Sequence, residues 1–133
     1  MKLERFCPNL NRIKYLIYAR NILPIEKCVL IGSAFLTLIG LHKNNDLDLV
    51  VPIDVYNTSD LLENNNHIKQ SRWNELEIGI NYCNFNYNDL MEDAICFQGV
   101  NFISIEKQYH IYKNILKRPK DLDKCLTYEA YLL

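Results

Sequence analysis

Two aspartates one residue apart, Asp46 and Asp48, stand in the otherwise aliphatic run Asn45-Asp46-Leu47-Asp48-Leu49-Val50-Val51. In an extended strand, side chains alternate, so both carboxylates leave one face while Leu47, Leu49 and Val51 leave the other. Aspartate is disfavoured in strands and like charges side by side repel. The pair therefore predicts a compensating cation. Hard divalent ions that travel with nucleoside triphosphates, Mg2+ or Mn2+, are held by a few carboxylate oxygens together with substrate phosphates, and Asp46 and Asp48 can supply the former. Fourteen residues before Asp46, Gly32-Ser33 closes the apolar run Cys28-Val29-Leu30-Ile31. A strand-to-helix junction of this kind offers N–H groups and a helix dipole to an anion, and a glycine admits phosphate oxygens at close range. Taken singly, the aspartates can be a polar strand end and Gly-Ser a turn with a capping serine. In this order and spacing, they point to a metal-triphosphate site.

A third carboxylate would complete a site for two metals or activate an attacking hydroxyl. The segment from Glu75 to Tyr82 alternates, with Leu76, Ile78, Ile80 and Tyr82 on one face and Glu75, Glu77, Gly79 and Asn81 on the other. Glu77, flanked by Leu76 and Ile78, is favoured over Glu75. The plainer reading is two ordinary outward charges on a half-exposed sheet. Lys113, Lys117 and Lys120, on or just after a late helix, could neutralise phosphates, although a solvated basic face is the plainer reading and the favoured one.

These groups need elements to position them. Asn9 or Asn11 can cap a first helix to about Asn21, and Pro24 ends it. A strand is expected over Glu26 to Ile31, a buried helix from Ser33 to about Leu41, and a strand over Asp46 to Val51. Thr58 or Ser59 can cap a short helix over Asp60 to Glu63, ahead of the polar run Asn64-Asn65-Asn66. After the Glu75 to Tyr82 strand, a helix capped by Asn88 is expected over Tyr87 to Phe97, then a brief strand over Val100 to Ile103. Ser104 can cap a helix through Leu116; Pro119 interrupts it, and Leu122 to Leu132 resumes as a terminal helix. The expected class is α+β, with helices and strands intermixed: a small mixed β-sheet flanked by helices.

The 133 residues fit one domain, 1–133. At 49% hydrophobic and 23% charged residues the composition is that of an ordinary globular chain, neither disordered nor coiled-coil. A net charge of −1 provides no global field toward nucleic acid or anionic membrane. The start of the chain, Met1 to Pro8, has no apolar leader core, and no run approaches the ~18 apolar residues of a membrane span, so a cytoplasmic protein is expected. The five cysteines, at positions 7, 28, 83, 96 and 125, contain no CxxC pair and read as reduced thiols.

The segment Cys28-Val29-Leu30-Ile31-Gly32-Ser33-Ala34, then Gly40, Lys43 and Asn45 to Val51, resembles the core of the small stand-alone polymerase-beta-like nucleotidyltransferases, whose pattern is Gly-Gly/Ser, a helix, then Asp-x-Asp. The resemblance continues in Lys117-Arg118-Pro119-Lys120-Asp121 and spans roughly residues 10 to 130. It implies a nucleotidyltransferase-like core with C-terminal helices, and transfer of a nucleoside monophosphate from a nucleoside triphosphate, ATP by default, to an acceptor hydroxyl with Mg2+. By this likeness Asp46, Asp48 and Glu77 would be catalytic and metal-ligating, and Gly32, Ser33, Lys43 and Lys113 would bind nucleotide. Lys43 and Asn45 stand where relatives often carry arginine and serine or threonine, and glutamate replaces the commoner third aspartate. The implied acceptor is a partner protein, a tRNA end or a small molecule, and the small members include toxin-antitoxin and defence proteins with a cognate protein partner. The alternative is a catalytically inactive nucleotidyltransferase-like module that acts through a protein partner.

Overall fold

The computed structural model describes residues 5–65 and 67–133. Met1 to Glu4 of the leader reading and Asn66 of the asparagine run lie outside them. The Asp-x-Asp run does form a strand. In chain order the main elements begin with α1 (Leu16–Ile22), β1 (Val29–Leu30), α2 (Ala34–Leu38), β2 (Leu47–Val50), α3 (Ile53–Thr58), β3 (Leu62–Asn65), β4 (Ile68–Gln70) and β5 (Leu76–Gly79). They continue with β6 (Asn81–Tyr82), β7 (Phe85–Asn86), α4 (Tyr87–Glu92), β8 (Ile95–Phe97), β9 (Val100–Phe102), α5 (Ile105–His110) and α6 (Pro119–Tyr131). Seven strands make one mixed sheet in the order β3-β4-β5-β2-β1-β9-β8, and β6 and β7 form a separate hairpin. This is the α+β architecture that the pattern of apolar residues predicts.

At the centre, β2 runs antiparallel to β1 and parallel to β5, with Leu47 opposite Leu76, Asp48 opposite Glu77 and Leu49 opposite Ile78. The alternation separates two apolar layers. Leu47, Leu49, Leu76 and Ile78 join Leu30, Phe35 and Phe102 in the larger cluster. Val29 and Val50 turn the other way and pack with Leu90, Ile103 and Ile111. Burying a leucine side chain contributes roughly 1.5–3 kcal/mol, so the fully buried Leu47 and Leu49 hold β2 in place despite the aspartate between them.

Several boundaries differ from expectation, each for a local reason. Tyr15 adopts a left-handed conformation (φ 69°) and splits the first helix into a 3-10 turn at Leu10–Arg12, capped by Asn9, and α1. A 3-10 turn at Ile25–Lys27 takes the first two residues of the anticipated Glu26–Ile31 strand, which is reduced to Val29–Leu30. The helix expected over Asp60–Glu63 forms earlier, as α3, with Pro52 before its first turn and Asp54 within it; Leu62–Asn65 is instead an exposed edge strand paired with β4. The cap of α4 is Asn86 rather than Asn88. Its side chain accepts from the Asp89 N–H, the Asp89 carboxylate accepts from the Asn86 N–H, and the helix stops at Glu92. Ile95-Cys96-Phe97, expected to be helical, pairs with β9 as an edge strand. Ser104 caps α5 as expected, by accepting from the Lys107 N–H, and the helix continues to Leu116 in the wider π form.

Pro119 opens α6 instead of interrupting a helix. The first helical position is where proline's fixed φ fits and its missing N–H costs nothing. Lys117, left-handed at φ 56°, makes the turn between the two helices.

One buried polar side chain, Asn44, fixes the approach to β2. Its amide donates to the carbonyls of Asp46 (2.9 Å) and Lys14 (3.3 Å), and its oxygen accepts from the Lys14 N–H (3.0 Å). Asn44→Ala is expected to destabilise the protein by about 2 kcal/mol, because three backbone groups lose a buried partner. Urea unfolding checks this, and a change within a few tenths of a kcal/mol would mean that water replaces the amide.

Candidate active site

The sequence pieces that predict chemistry meet at Asp48. Gly32, at the end of β1, has φ +67°, a backbone that a glycine adopts without strain. A Cβ placed there would make only an ordinary contact, 4.0 Å from Asp48 Oδ2, so the backbone conformation and not crowding calls for glycine. A cleft of about 340 Å3 opens here, with Gly32, Ser33, Asp46 and Asp48 on one wall. The rest of the lining comes from later in the chain: Tyr82, Tyr112, Leu116, Arg118, Lys120 and Lys124.

Across Asp48 and Tyr82 lies a second hollow of about 280 Å3, lined also by Glu77, Asn81 and Cys83. The parallel register that sets Glu77 beside Asp48 distinguishes it from Glu75, whose residue lies one position before β5 and whose carbonyl accepts from the Leu47 N–H at 2.8 Å. The two hollows share Asp48. Burial, then the charges of Asp46 and Glu77, push the Asp48 carboxyl up to about 7, against the opposing influence of Lys120 and Lys124. A carboxylate held this unfavourably, between like charges, is a place where a cation or a proton binds.

The Gly-Ser junction differs from expectation in two respects. Helix α2 has only five residues, so its dipole is short, and Ser33 makes no capping hydrogen bond, leaving its hydroxyl at the cleft wall. The Gly32 N–H is already engaged: it donates to Gln108 Oε1 at 2.9 Å, and Gln108 Nε2 in turn contacts the Tyr82 hydroxyl at 3.0 Å. Gln108, completely buried, thus ties the loop to the wall shared by both hollows.

Of the lysines named from the sequence, Lys120 lines this cleft, whereas Lys43, Lys113 and Lys117 do not. Lys43 is exposed and lines a separate hollow with Arg12, Lys14 and His42. Lys113 donates to the Tyr109 hydroxyl at 2.9 Å and pairs with Glu129 at 3.7 Å. The reason is helical phase: Ile111 and Tyr112 are the residues of that turn buried in the protein, and the next residue, Lys113, is carried outward. The basic wall is made by Lys120, Lys124 and Arg118. Arg118 is pinned at the start of α6 by a two-pronged pair with the buried Asp121 (2.6 and 3.1 Å).

Tyr82, Tyr112 and Gln108 carry no local signal of a site in the sequence, and Lys124 only a faint one. The i, i+4 spacing of Lys120 and Lys124 in a helix opened by a proline at N1 is the one sign available.

Among the described residues no three His, Cys, Asp or Glu side chains lie close enough together to hold a metal ion. A magnesium ion is commonly bound through one or two carboxylates with phosphates and water filling the rest. Asp46 and Asp48, which share one cleft with Arg118, Lys120 and Lys124, therefore fit a metal that arrives with a phosphorylated substrate better than a permanently caged one. The described residues contain no helix long and apolar enough to cross a membrane. No protein-family model, curated protein or solved structure matches the chain.

Proposed function

We propose that this protein is a metal-dependent nucleotidyltransferase that moves a nucleoside monophosphate from a nucleoside triphosphate, ATP by default, to an acceptor hydroxyl. The observation that carries this reading is the convergence on Asp48, which faces a cleft with a basic wall on one side and the Glu77 hollow on the other. Asp46 and Asp48 would hold Mg2+, which neutralises phosphate charge as pyrophosphate leaves. The chain's own groups do the rest. Ser33 and the basic wall orient the triphosphate, and Glu77 stands where an acceptor entering the second hollow presents its hydroxyl. The acceptor oxygen forms its bond to the α-phosphorus, the bond to the β-phosphate oxygen breaks, and the hydroxyl proton passes to Glu77. The acceptor class is a partner protein, a tRNA end or a small molecule; the resemblance to toxin-antitoxin members favours a cognate protein.

Incubation with each α-labelled nucleoside triphosphate, Mg2+ and a cell lysate is expected to label one acceptor. Asp46→Asn and Asp48→Asn should each lower the rate about a hundredfold or more, a loss typical of removed charge stabilisation. Glu77→Gln should lower it strongly while Glu75→Gln leaves it near normal; equal rates would remove Glu77 from the mechanism. No transfer from any of the four nucleotides would overturn the reading. Nucleotide cleavage without a labelled acceptor would make the protein a phosphoester hydrolase.

One observation favours a second reading, a nucleotidyltransferase-like binding module without turnover: the Gly32 N–H is occupied by Gln108. Such a module would bind its partner equally well with Asp46 and Asp48 changed to alanine, whereas the enzyme would lose metal-dependent ATP binding.

A further inference from the structure

Lys43 does not reach the catalytic cleft, but the hollow it lines is itself a concentration of positive charge. Asn11, Arg12, Lys14, Gly40, His42 and Lys43 enclose about 530 Å3, and no carboxylate is among them. The chain as a whole carries a net charge of −1, so three cations and an imidazole around one concavity stand apart from the general surface. None of the four makes an ion pair among the described residues. Cations gathered without a counter-charge repel one another, and a bound anion relieves that repulsion.

The rims of the hollow are fixed before any ligand arrives. Nη1 of Arg12 donates to the Leu38 carbonyl at 2.9 Å and also to the Cys7 carbonyl. Gly40, at φ +83°, makes room for the guanidinium, since a Cβ there would lie 3.4 Å from Arg12 Cζ. Nε and Nη2 have no protein partner among the described residues, and this free edge is the planar fork that matches two oxygens of a phosphate. The buried Asn44 ties down Lys14 through both its N–H and its carbonyl. Surface lysines are commonly a solvated basic face; a guanidinium set in advance, in a concave lining without carboxylates, is what such a face lacks.

The hollow also adjoins the catalytic cleft. Burial, and then the charge of Lys124, lower the proton affinity of His42, and Lys124 itself lines the cleft. Only a short stretch of chain separates Lys43, in the hollow, from Asp46, in the cleft.

We infer that Arg12, Lys14, His42 and Lys43 form an anion site, separate from the catalytic cleft and beside it, that takes a phosphate group. Arg12 grips two of its oxygens, Lys14 and Lys43 neutralise it, and an imidazole N–H of His42 donates a further hydrogen bond. A nucleic-acid strand and a free phosphorylated small molecule present the same group to these side chains. The site stands on its own residues, whether or not the protein transfers nucleotides.

The test is titration of the isotope-labelled full chain with inorganic phosphate, in metal-free buffer at roughly physiological salt to screen diffuse attraction, followed by amide NMR. Saturable shifts are expected from Asn11 to Lys14 and from Gly40 to Asn44. Lys14→Met and Lys43→Met, both at exposed positions, should each weaken binding about two- to fivefold, the range of an exposed charge pair. Arg12→Lys, which keeps the charge and loses the fork, should weaken it about tenfold. Lys27→Met, exposed and outside the hollow, should leave binding unchanged. A single-stranded oligonucleotide that binds more tightly than adenosine monophosphate, through the same side chains, sustains the site and makes its ligand a nucleic-acid strand; the reverse order sustains it as a site for a free phosphorylated molecule. Shifts confined to Gly32, Ser33 and Tyr82, binding indifferent to all three substitutions in the hollow, or binding weakened equally by Lys27→Met overturns it.

Discussion

In metal-free buffer at pH 8, Asp48→Asn is expected to be more stable than the natural protein by about 1–3 kcal/mol, and to have lost nucleotide transfer. The ordinary aspartate value is 3.8, and burial with the charges of Asp46 and Glu77 raises Asp48 to about 7 in the folded chain. Between these values the folded state binds more protons than the unfolded state. Stability from this group is therefore complete at and below about pH 4, falls as pH rises toward 7, and is level above that. A tenfold difference in proton affinity between the folded and unfolded chain is worth about 1.4 kcal/mol, and the buried amide of asparagine, which must find its own partners, returns part of the gain. Urea titrations of both proteins from pH 4 to pH 8 read the difference directly. Parallel pH curves would show that Asp48 is ionised at no unusual cost. Mg2+ added to the natural protein at pH 8 should narrow the gap, because a ligand that binds only the folded state stabilises it. A residue whose replacement raises stability while removing activity is kept for chemistry, not for folding.

The second large effect concerns Gln108→Leu, expected to cost about 2–5 kcal/mol. The substitution strips the Gly32 N–H and the Tyr82 hydroxyl of their shared buried partner, and each orphaned group costs about 1–3 kcal/mol. For a chain of this size that corresponds to a melting temperature lower by on the order of 10 °C. Gln108→Glu separates the contributions, since one carboxylate oxygen still accepts from Gly32 and the other can accept from the tyrosine. It should recover stability chiefly at low pH, where the buried carboxyl is neutral, because ionised beside Asp48 it would bear the same burial and like-charge penalty. Calorimetric unfolding of the two variants decides; if leucine costs under about 0.5 kcal/mol, the range of an ordinary surface change, the bridge is not a structural tie.

The central strands are legible in the sequence because burial there follows a period of two on both β2 and β5. Leu47, Leu49, Leu76 and Ile78 announce their face whatever lies around them, and Asp46, Asp48 and Glu77 are conspicuous for breaking that pattern. The same alternation that singles out Glu77 also sets it in register with Asp48. What the sequence conceals depends on chain reversals. Ile95-Cys96-Phe97 continues an apolar helical pattern, yet the turn that follows lets it gain ladder hydrogen bonds at the sheet edge, and a short apolar run does not say which it will choose. Pro119 reads as a break until the left-handed Lys117 turn before it is known, after which it is a first helical residue. The lysines are hard to place for the same reason. Lys113 and Lys120 look alike in the sequence, but the π-helical turn and the reversal at Lys117 send one to solvent and the other to the cleft.

That reversal has a consequence for how the cleft can open. Helix α6 is held chiefly through Asp121, Cys125 and Tyr128, its buried residues, while Leu122, Leu126 and Tyr131 stay exposed. Cys125 and Tyr128 join the main core, so the helix is anchored along one face only, and a partial release of that face would leave the seven-stranded sheet paired. Because Lys120 and Lys124 ride on α6, undocking would carry off the cationic wall and leave Asp46 and Asp48 behind on the loop and strand that carry them. The acidic and basic groups of the cleft thus belong to different elements, and amide hydrogen exchange in α6 faster than in β2 and β5 would show that the two can part without unfolding the sheet.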